Sequence, residues 1–304
     1  MGKRLGGCDQ GGVGKGGGGV TSCECLGDRS GRTVGLAGMT QQAARVSAIG
    51  ELIRDWRKDR NLSQLDLAAK ADVSARHLSF VETGRSAPSR DMVLRLAEHL
   101  DVPLRDRNRL LLAAGYAPAY AETPLDTPRL QMVRAAIRRV LDGHDPFPAF
   151  AVDACWTMVD ANASVALLTR GAPDSLLAAP FNVLRYSLHP QGLAARMLNL
   201  AQWREYVLTR VERQLKAGPS GNGELAALYR ELIGYPATNQ LGGSALDDTS
   251  DVFVPLRLLF DGQELSLFST VTTFGTPRDI TVDELHVENF YPADEATEKY
   301  LRSR

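Results

Sequence analysis

Cysteine is scarce in this chain. Four occur in 304 residues, with Cys8, Cys23 and Cys25 crowded near the start and Cys155 alone in the body. That spacing excludes a disulfide framework and makes a reducing cytoplasm the expected setting. No apolar run approaches the roughly 18 residues of a membrane span, and the start lacks the charged-then-apolar pattern of a signal peptide. Excess charge is missing too: 35 Lys and Arg stand against 36 Asp and Glu, a net charge of −1. None of the five His residues shares a metal-ligand spacing with a second His, Cys or carboxylate. There is no G-x-S-x-G elbow, and no G-x-G-x-x-G follows a strand pattern. Hence no metal, no cofactor and no enzymatic chemistry are expected.

What is present is ordinary for globular protein, 44% hydrophobic and 23% charged, and long enough for two domains. Charge is unevenly spread. Residues 39–120 carry 13 basic and 10 acidic side chains, whereas residues 241–304 carry 5 and 12. A mildly basic front and an acidic back suit a protein whose front meets phosphate. Residues 1–38 hold 14 of the 28 Gly, too little apolar surface to offset the entropy of ordering, so a disordered tail is expected there. Within it GGVGKGG imitates a phosphate loop. Asp9 stands where the first Gly belongs, however, and Gly16 replaces the magnesium-binding Ser or Thr.

The most informative stretch is Ser63–Arg90, SQLDLAAKADVSARHLSFVETGRSAPSR. It carries two short helical patterns joined by Ala71-Asp72-Val73, with Ser63 and Ser74 placed as N-caps. Asp72 falls where a tight corner needs a left-handed residue, a conformation Asp tolerates better than most. The inward positions Leu67, Ala68, Ala71, Val73, Leu78 and Val81 are mostly small, as steeply crossing helices require. This is a helix-turn-helix pattern. The second helix, expected at Ala75–Thr83, has a core stripe of Ala75, Leu78 and Val81. Arg76, Ser79, Phe80 and Thr83 form another stripe at i, i+3, i+4, i+7. An exposed Arg beside an exposed Phe suits a major groove, where Arg bonds guanine O6 and N7 and the ring touches thymine methyls. The plain alternative is that Phe80 packs on a neighbouring helix. Further helices at about Ala48–Arg60, Arg90–Leu100 and Leu104–Ala114 complete an all-α five-helix bundle over residues 39–116.

The segments LSQLDLA, VSARHLS and FVETGRSAPS, followed by LAEHL, resemble the Xre/Cro-type repressor helix-turn-helix. The resemblance implies that Gln64 touches phosphate, and that Ser74, Ala75 and Arg76 read bases, with Phe80 one turn on. It also implies an ion pair between Arg57 and Glu82. Ser79, Thr83, Arg85 and Arg90 complete the expected DNA-binding set. The longer stretch RHLSFVETGRSAPSRDMVLRLAEHLDVPLRDRNRLLLAAGYAP is similar to the MmyB-like branch, in which a ligand-binding domain follows.

Residues 117–128, APAYAETPLDTP, read as a semi-rigid linker. The region 129–304 is expected to be an α+β domain with an antiparallel sheet of about five strands. Its anticipated elements begin with a helix at Leu130–Leu141 and strands at Pro148–Val152 and Trp156–Asp160. A helix capped by Asn162 follows, then short helices near Ser175–Ala179 and Phe181–Leu188, a long helix at Gln191–Ala217 and another at Glu224–Ile233. Val252–Phe260 and Glu264–Thr273 form a hairpin about Asp261-Gly262, and a last strand lies at Glu284–Tyr291. LHPQGLAARMLNLAQWREYVL and LSLFSTVTTFGTPRDITVDELHVENFYPADEAT resemble the MmyB-like ligand-binding domain. That resemblance implies a PAS-like pocket, and a member of the family is understood to hold a fatty acid. An apolar slot with a few donors is what such a ligand needs. Trp156, Phe181, Met197, Trp203, Phe268 and Phe274 are its apolar candidates, with Arg196 and Asn199 sharing a helix face with Trp203.

The expectation is therefore a cytoplasmic, sequence-specific transcription regulator, homodimeric on double-stranded DNA and without a membrane partner. Its operator binding responds to a small apolar ligand such as a fatty acid. The alternative is a ligand-independent DNA-binding or antitoxin-like interaction protein whose second domain serves only dimerisation.

Overall fold

The computed structural model describes residues 33–217, 223–241 and 253–304, with side chains from residue 46 onward. Most of the Gly-rich segment with its cysteines lies outside the described residues, as does Val252. Five helices come first: α1 (Thr33–Asp59), α2 (Gln64–Lys70), α3 (Ala75–Glu82), α4 (Arg90–His99) and α5 (Leu104–Ala113). α1 starts well before the expected Ala48, and inside the tail drawn at residues 1–38. From Thr33 the chain is richer in Ala, Gln, Leu and Met, which favour helix more than Gly does.

Caps and corners fix the bundle. Ser63 and Asp66 form a reciprocal capping box, the Ser74 hydroxyl accepts from the His77 N–H, and Ser89 accepts from Met92. Asn61, Asp72 and Asp101 take φ of 54°, 51° and 48°, so three corners use a left-handed Asn or Asp. Ile49, Ile53, Trp56, Leu67, Leu78, Leu96 and Leu110 are buried in one core. Gly50 lets α1 approach α3 closely, because a side chain there would collide with the Val81 carbonyl.

The remainder runs α6 (Gln131–Asp142), β1 (Ala149–Val152), β2 (Met158–Ala161), α7 (Val165–Thr169), α8 (Asp174–Leu177) and α9 (Val183–Leu188). Then follow α10 (Leu200–Ala217), α11 (Gly223–Ile233), β3 (Leu256–Phe260), β4 (Gln263–Thr273), α12 (Ile280–Glu284), β5 (His286–Pro292) and α13 (Glu295–Arg302). The five strands form one antiparallel sheet in the order β2-β1-β5-β4-β3. Asp261 and Gly262, with φ of 51° and 77°, make the β3–β4 turn, as a two-residue hairpin demands. Alternation along β1 divides the layers. Phe150 and Val152 join the core under α9, α10 and α11, while Ala149 and Ala151 face Ile137 and Leu141 of α6.

Several expected elements differ. The helix anticipated over Gln191–Ala217 is broken: a 3-10 turn covers Leu193–Arg196 and α10 begins only at Leu200. Between them Met197 bridges Leu258 and the Leu198 N–H donates to the Arg257 carbonyl at 2.9 Å, so the chain serves the edge of β3 instead. Trp156 lies in a turn with φ of 66° and not in a strand, and the Asp153 carboxylate accepts from the Cys155 and Thr157 N–H groups around it. Asn162 caps no helix. Its buried amide donates to the Leu141 carbonyl at 3.3 Å and the Phe147 carbonyl at 2.7 Å and accepts from the Ala149 N–H at 3.0 Å, tying the end of α6 to β1. Strand β3 starts at Leu256, after Val254, and α12 and α13 have no counterpart in the sequence pattern. Residues 117–128 are held by side-chain bonds at Tyr120 and Thr123. The Asn108 amide donates to the Tyr120 carbonyl at 2.7 Å, and Thr123 donates to the Asp279 carboxylate at 2.5 Å.

Candidate functional site

The first candidate site is the outer face of α3. Its inner residues Leu78, Val81 and Glu82 are buried, which turns the opposite stripe outward. Ser74, Arg76, Thr83, Arg85 and Arg90 are exposed, while Ala75, Ser79 and Phe80 are half-buried. The Arg76 guanidinium lies 5.4 Å from the Phe80 ring centroid, so the two form one stacked unit. The Thr83 hydroxyl donates back to the Ser79 carbonyl at 2.7 Å.

α3 is anchored from behind. Arg57 on α1 donates to both carboxylate oxygens of Glu82, at 2.7 and 2.8 Å, in the bidentate geometry that suits guanidinium and carboxylate. The bond to Glu82 is the main reason the Arg57 guanidinium holds its proton more tightly than usual. Gln64, at the first turn of α2, donates to the same Glu82 at 2.8 Å. One of its two amide N–H groups is therefore engaged inward, and the second stays available as a donor at the start of α2.

The second candidate site is an apolar cavity of about 70 Å³ between the sheet and α9–α10. Phe150 and Phe290 line it from the strands, Trp203, Tyr206 and Val207 from α10, and Trp156 and Phe181 from the turns. Its polar wall includes Arg210, Glu288, Ser269, Ser187 and Thr169, with the hydroxyl-bearing rings of Tyr186 and Tyr206. Arg210 pairs with Glu288, whose side chain is only 3% exposed, and lies 4.4 Å over the Trp156 ring. His286 stands edge-on to Trp156 at 4.9 Å. Burial first, and the nearby Arg210 second, push its pKa down to about 4, so the imidazole is neutral.

Of the anticipated ligand residues, Trp156, Phe181 and Trp203 line the cavity and five do not. Arg196, displaced by the helix break, donates to the Arg170 carbonyl at 2.8 Å and lies over Phe260. Met197 is fully buried core. Asn199 donates to the Pro255 carbonyl and accepts from the Arg257 N–H, clamping the start of β3. Phe268 points to the other face of the sheet and stacks on Tyr291, and Phe274 packs near α6. The polar wall was missed. Arg210 lies seven residues after Trp203 on one helical stripe. Glu288 alternates with Phe290 on an inward strand face, a charged position in an otherwise buried run.

The fold and these sites define a helix-turn-helix DNA-binding protein that carries a second, cavity-bearing domain. The chain belongs to the family of MmyB-like transcription regulators. The model of the MmyB-like transcription regulator ligand binding domain matches residues 133–303, and a helix-turn-helix model matches residues 53–106. These families are transcription regulators and not enzymes. Among solved structures, the restriction-modification controller protein C.AhdI from Aeromonas hydrophila is 29% identical, covering 20% of this chain and 94% of its own, with a TM-score of 0.20. The clp gene regulator ClgR from Corynebacterium glutamicum is 24% identical, covering 34% and 95%, with a TM-score of 0.21. No curated protein matches the chain. Among the described residues, no helix is long and apolar enough to cross a membrane.

Proposed function

We propose that this chain is a cytoplasmic, homodimeric regulator whose operator binding is set by a small apolar ligand in the cavity. Residues 39–116 act as the DNA-binding unit, 117–128 as the connection and 129–304 as the ligand-binding unit. One helix-turn-helix reads only a few base pairs, so two copies engage half-sites about one helical turn apart. Arg76 reads guanine with Phe80 against a thymine methyl. Ser74, Ala75, Ser79 and Thr83 border the same bases, and Gln64, Arg85 and Arg90 hold phosphates.

The observation that carries the regulatory reading is the continuity of β5 with α12. Glu288 and Phe290 of β5 line the cavity. Just upstream, Asp283 accepts from the Leu104 N–H at 2.9 Å and Glu284 accepts from Arg105 at 2.6 Å, both at the start of α5. At about 70 Å³ the cavity is far smaller than the several hundred Å³ of a filled ligand pocket. Entry of an acyl chain, as a fatty acid carries, must spread its walls, and β5 is one of them. A ligand changes DNA affinity only through preference for one arrangement over another. The direct test is mass spectrometry of the small molecule that co-purifies with the chain, then footprinting with and without it. A long-chain amphiphile that changes the footprint supports the reading; an empty protein with an unresponsive footprint overturns it.

A further inference from the structure

We propose that the cavity is entered from a cleft outside α10, through a partition made by Tyr206 and Arg210, and that a bound ligand keeps its chain inside and its polar head in the cleft beside Arg213. The proposal rests on the reading of this cavity as the effector site. The cleft holds about 400 Å³ between α10, Val254 ahead of β3 and Val271 of β4. The inner cavity alone is too small for a chain-bearing ligand. Joined, the two spaces reach the several hundred Å³ of a ligand pocket.

Helix and sheet periodicity run both spaces along one groove. On α10, Trp203 and Val207 line the inner cavity only, and Gln202, Thr209 and Arg213 line the cleft only. Tyr206 and Arg210, at i, i+4 between those stripes, line both. On the sheet side the period is two. Leu256 and Ser269 line the cavity, while Val254 and Val271, two residues from each, line the cleft. The same two surfaces therefore wall both spaces, with Tyr206 and Arg210 standing between them.

The partition has one fixed leaf and one loose one. Arg210 is held by Glu288 and lies over the Trp156 ring at 4.4 Å. The Tyr206 hydroxyl has a single hydrogen bond among the described residues, a long one of 3.4 Å from Arg210, and its half-buried ring packs against Trp203. Swinging that ring outward breaks one weak bond and costs little. Outside, Arg213 is exposed and makes no hydrogen bond or ion pair among the described residues, so its guanidinium can meet an anionic head. The Thr209 hydroxyl lies about one turn from it, and Glu205, the acidic residue of the cleft wall, about two turns. A charged head held there keeps its contact with water while the chain is buried, which avoids the cost of dehydrating an ion.

The test uses the full chain, stripped of bound lipid, with dodecanoate and dodecanol as probes. Binding is followed by stopped-flow tryptophan fluorescence, since Trp156 and Trp203 line the cavity. Tyr206→Ala is expected to speed both association and dissociation of dodecanoate about fivefold or more, because a conformational step that limits entry is removed. Loss of a mere contact would speed dissociation alone, and an unchanged association rate overturns the proposal. Arg213→Gln is expected to weaken dodecanoate about fivefold and to leave dodecanol unchanged; equal effects on the two probes overturn it. In Thr209→Cys, maleimide labelling of the introduced thiol, resolved by mass spectrometry, is expected to slow severalfold on saturation with dodecanoate. Failure of both probes to bind overturns the effector-site reading and this proposal with it. Binding that leaves the thiol at position 209 unprotected overturns the entry route alone.

Discussion

Arg105, at the start of α5, grips Glu284 of α12 through two parallel N–H···O bonds of 2.6 and 2.9 Å. The same guanidinium holds Glu122 of the connecting segment. One side chain thus joins the last helix of the DNA-binding bundle, the connection and the element that leads into β5. Glu284 and then Glu122 raise the proton affinity of Arg105, and Arg105 in turn holds the Glu122 carboxyl below the usual range. The cluster is about a third exposed, so its contribution to stability is about 1 kcal/mol or less. Its value lies in alignment.

Glu284→Gln should therefore change unfolding free energy by no more than about 1 kcal/mol. It should leave the affinity of the ligand-free protein for its operator nearly intact while shrinking the ligand-dependent change. Fluorescence anisotropy on labelled operator, with and without ligand, measures both. A full ligand response in the variant would remove this contact from the coupling path.

Arg57 and Glu82 tell the opposite story. Their side chains are 11% and 1% exposed, so removal of one partner strands the other in the core. Arg57→Ala is expected to cost about 3–5 kcal/mol in urea denaturation, whereas a double change to apolar residues costs less. A loss below about 1 kcal/mol would show that the pair behaves like a surface ion pair.

Arg76→Ala is expected to lose about 1–3 kcal/mol on the cognate site and to relax choice at one base position. Gln64→Ala should weaken binding evenly across sequences, since phosphate contacts carry register and not sequence. It should also lower stability slightly, because Gln64 donates to Glu82. Equal losses on specific and random DNA for Arg76→Ala would contradict the base-reading role.

His286 makes stability pH-dependent. Its pKa is about 4 in the fold against 6.5 in the ordinary state, so the unfolded chain takes the proton more readily. Stability is then full above pH 6.5 and falls as the pH drops toward 4, by about 3 kcal/mol in total. Urea denaturation of wild type and His286→Leu at pH 7 and pH 4.5 isolates this from other carboxylates. The wild type should lose more than the variant; equal losses would place the pH dependence elsewhere.

The bundle was legible because its signals are local: serine caps, a left-handed Asp72 and short-period stripes fall within a few residues of one another. The hairpin at Asp261-Gly262 was legible for the same reason. The long helix from Gln191 was not, because what stops it is tertiary. Gly192 lies where any side chain would strike the Tyr186 carbonyl, and Met197 is drawn to the edge of β3. Misplacing that break put Arg196 and Asn199 on the wrong surface. Glu288 and Arg210 escaped notice because they are far apart in sequence and meet only when β5 lies beside α10.

The central claim is that the cavity and the DNA-reading helices are thermodynamically linked. It is tested most directly by measuring operator affinity of the same preparation, first stripped of ligand and then saturated with the molecule that co-purifies. The account predicts a change of about fivefold or more at constant salt, the usual size of such coupling. An identical affinity in the two states would contradict it.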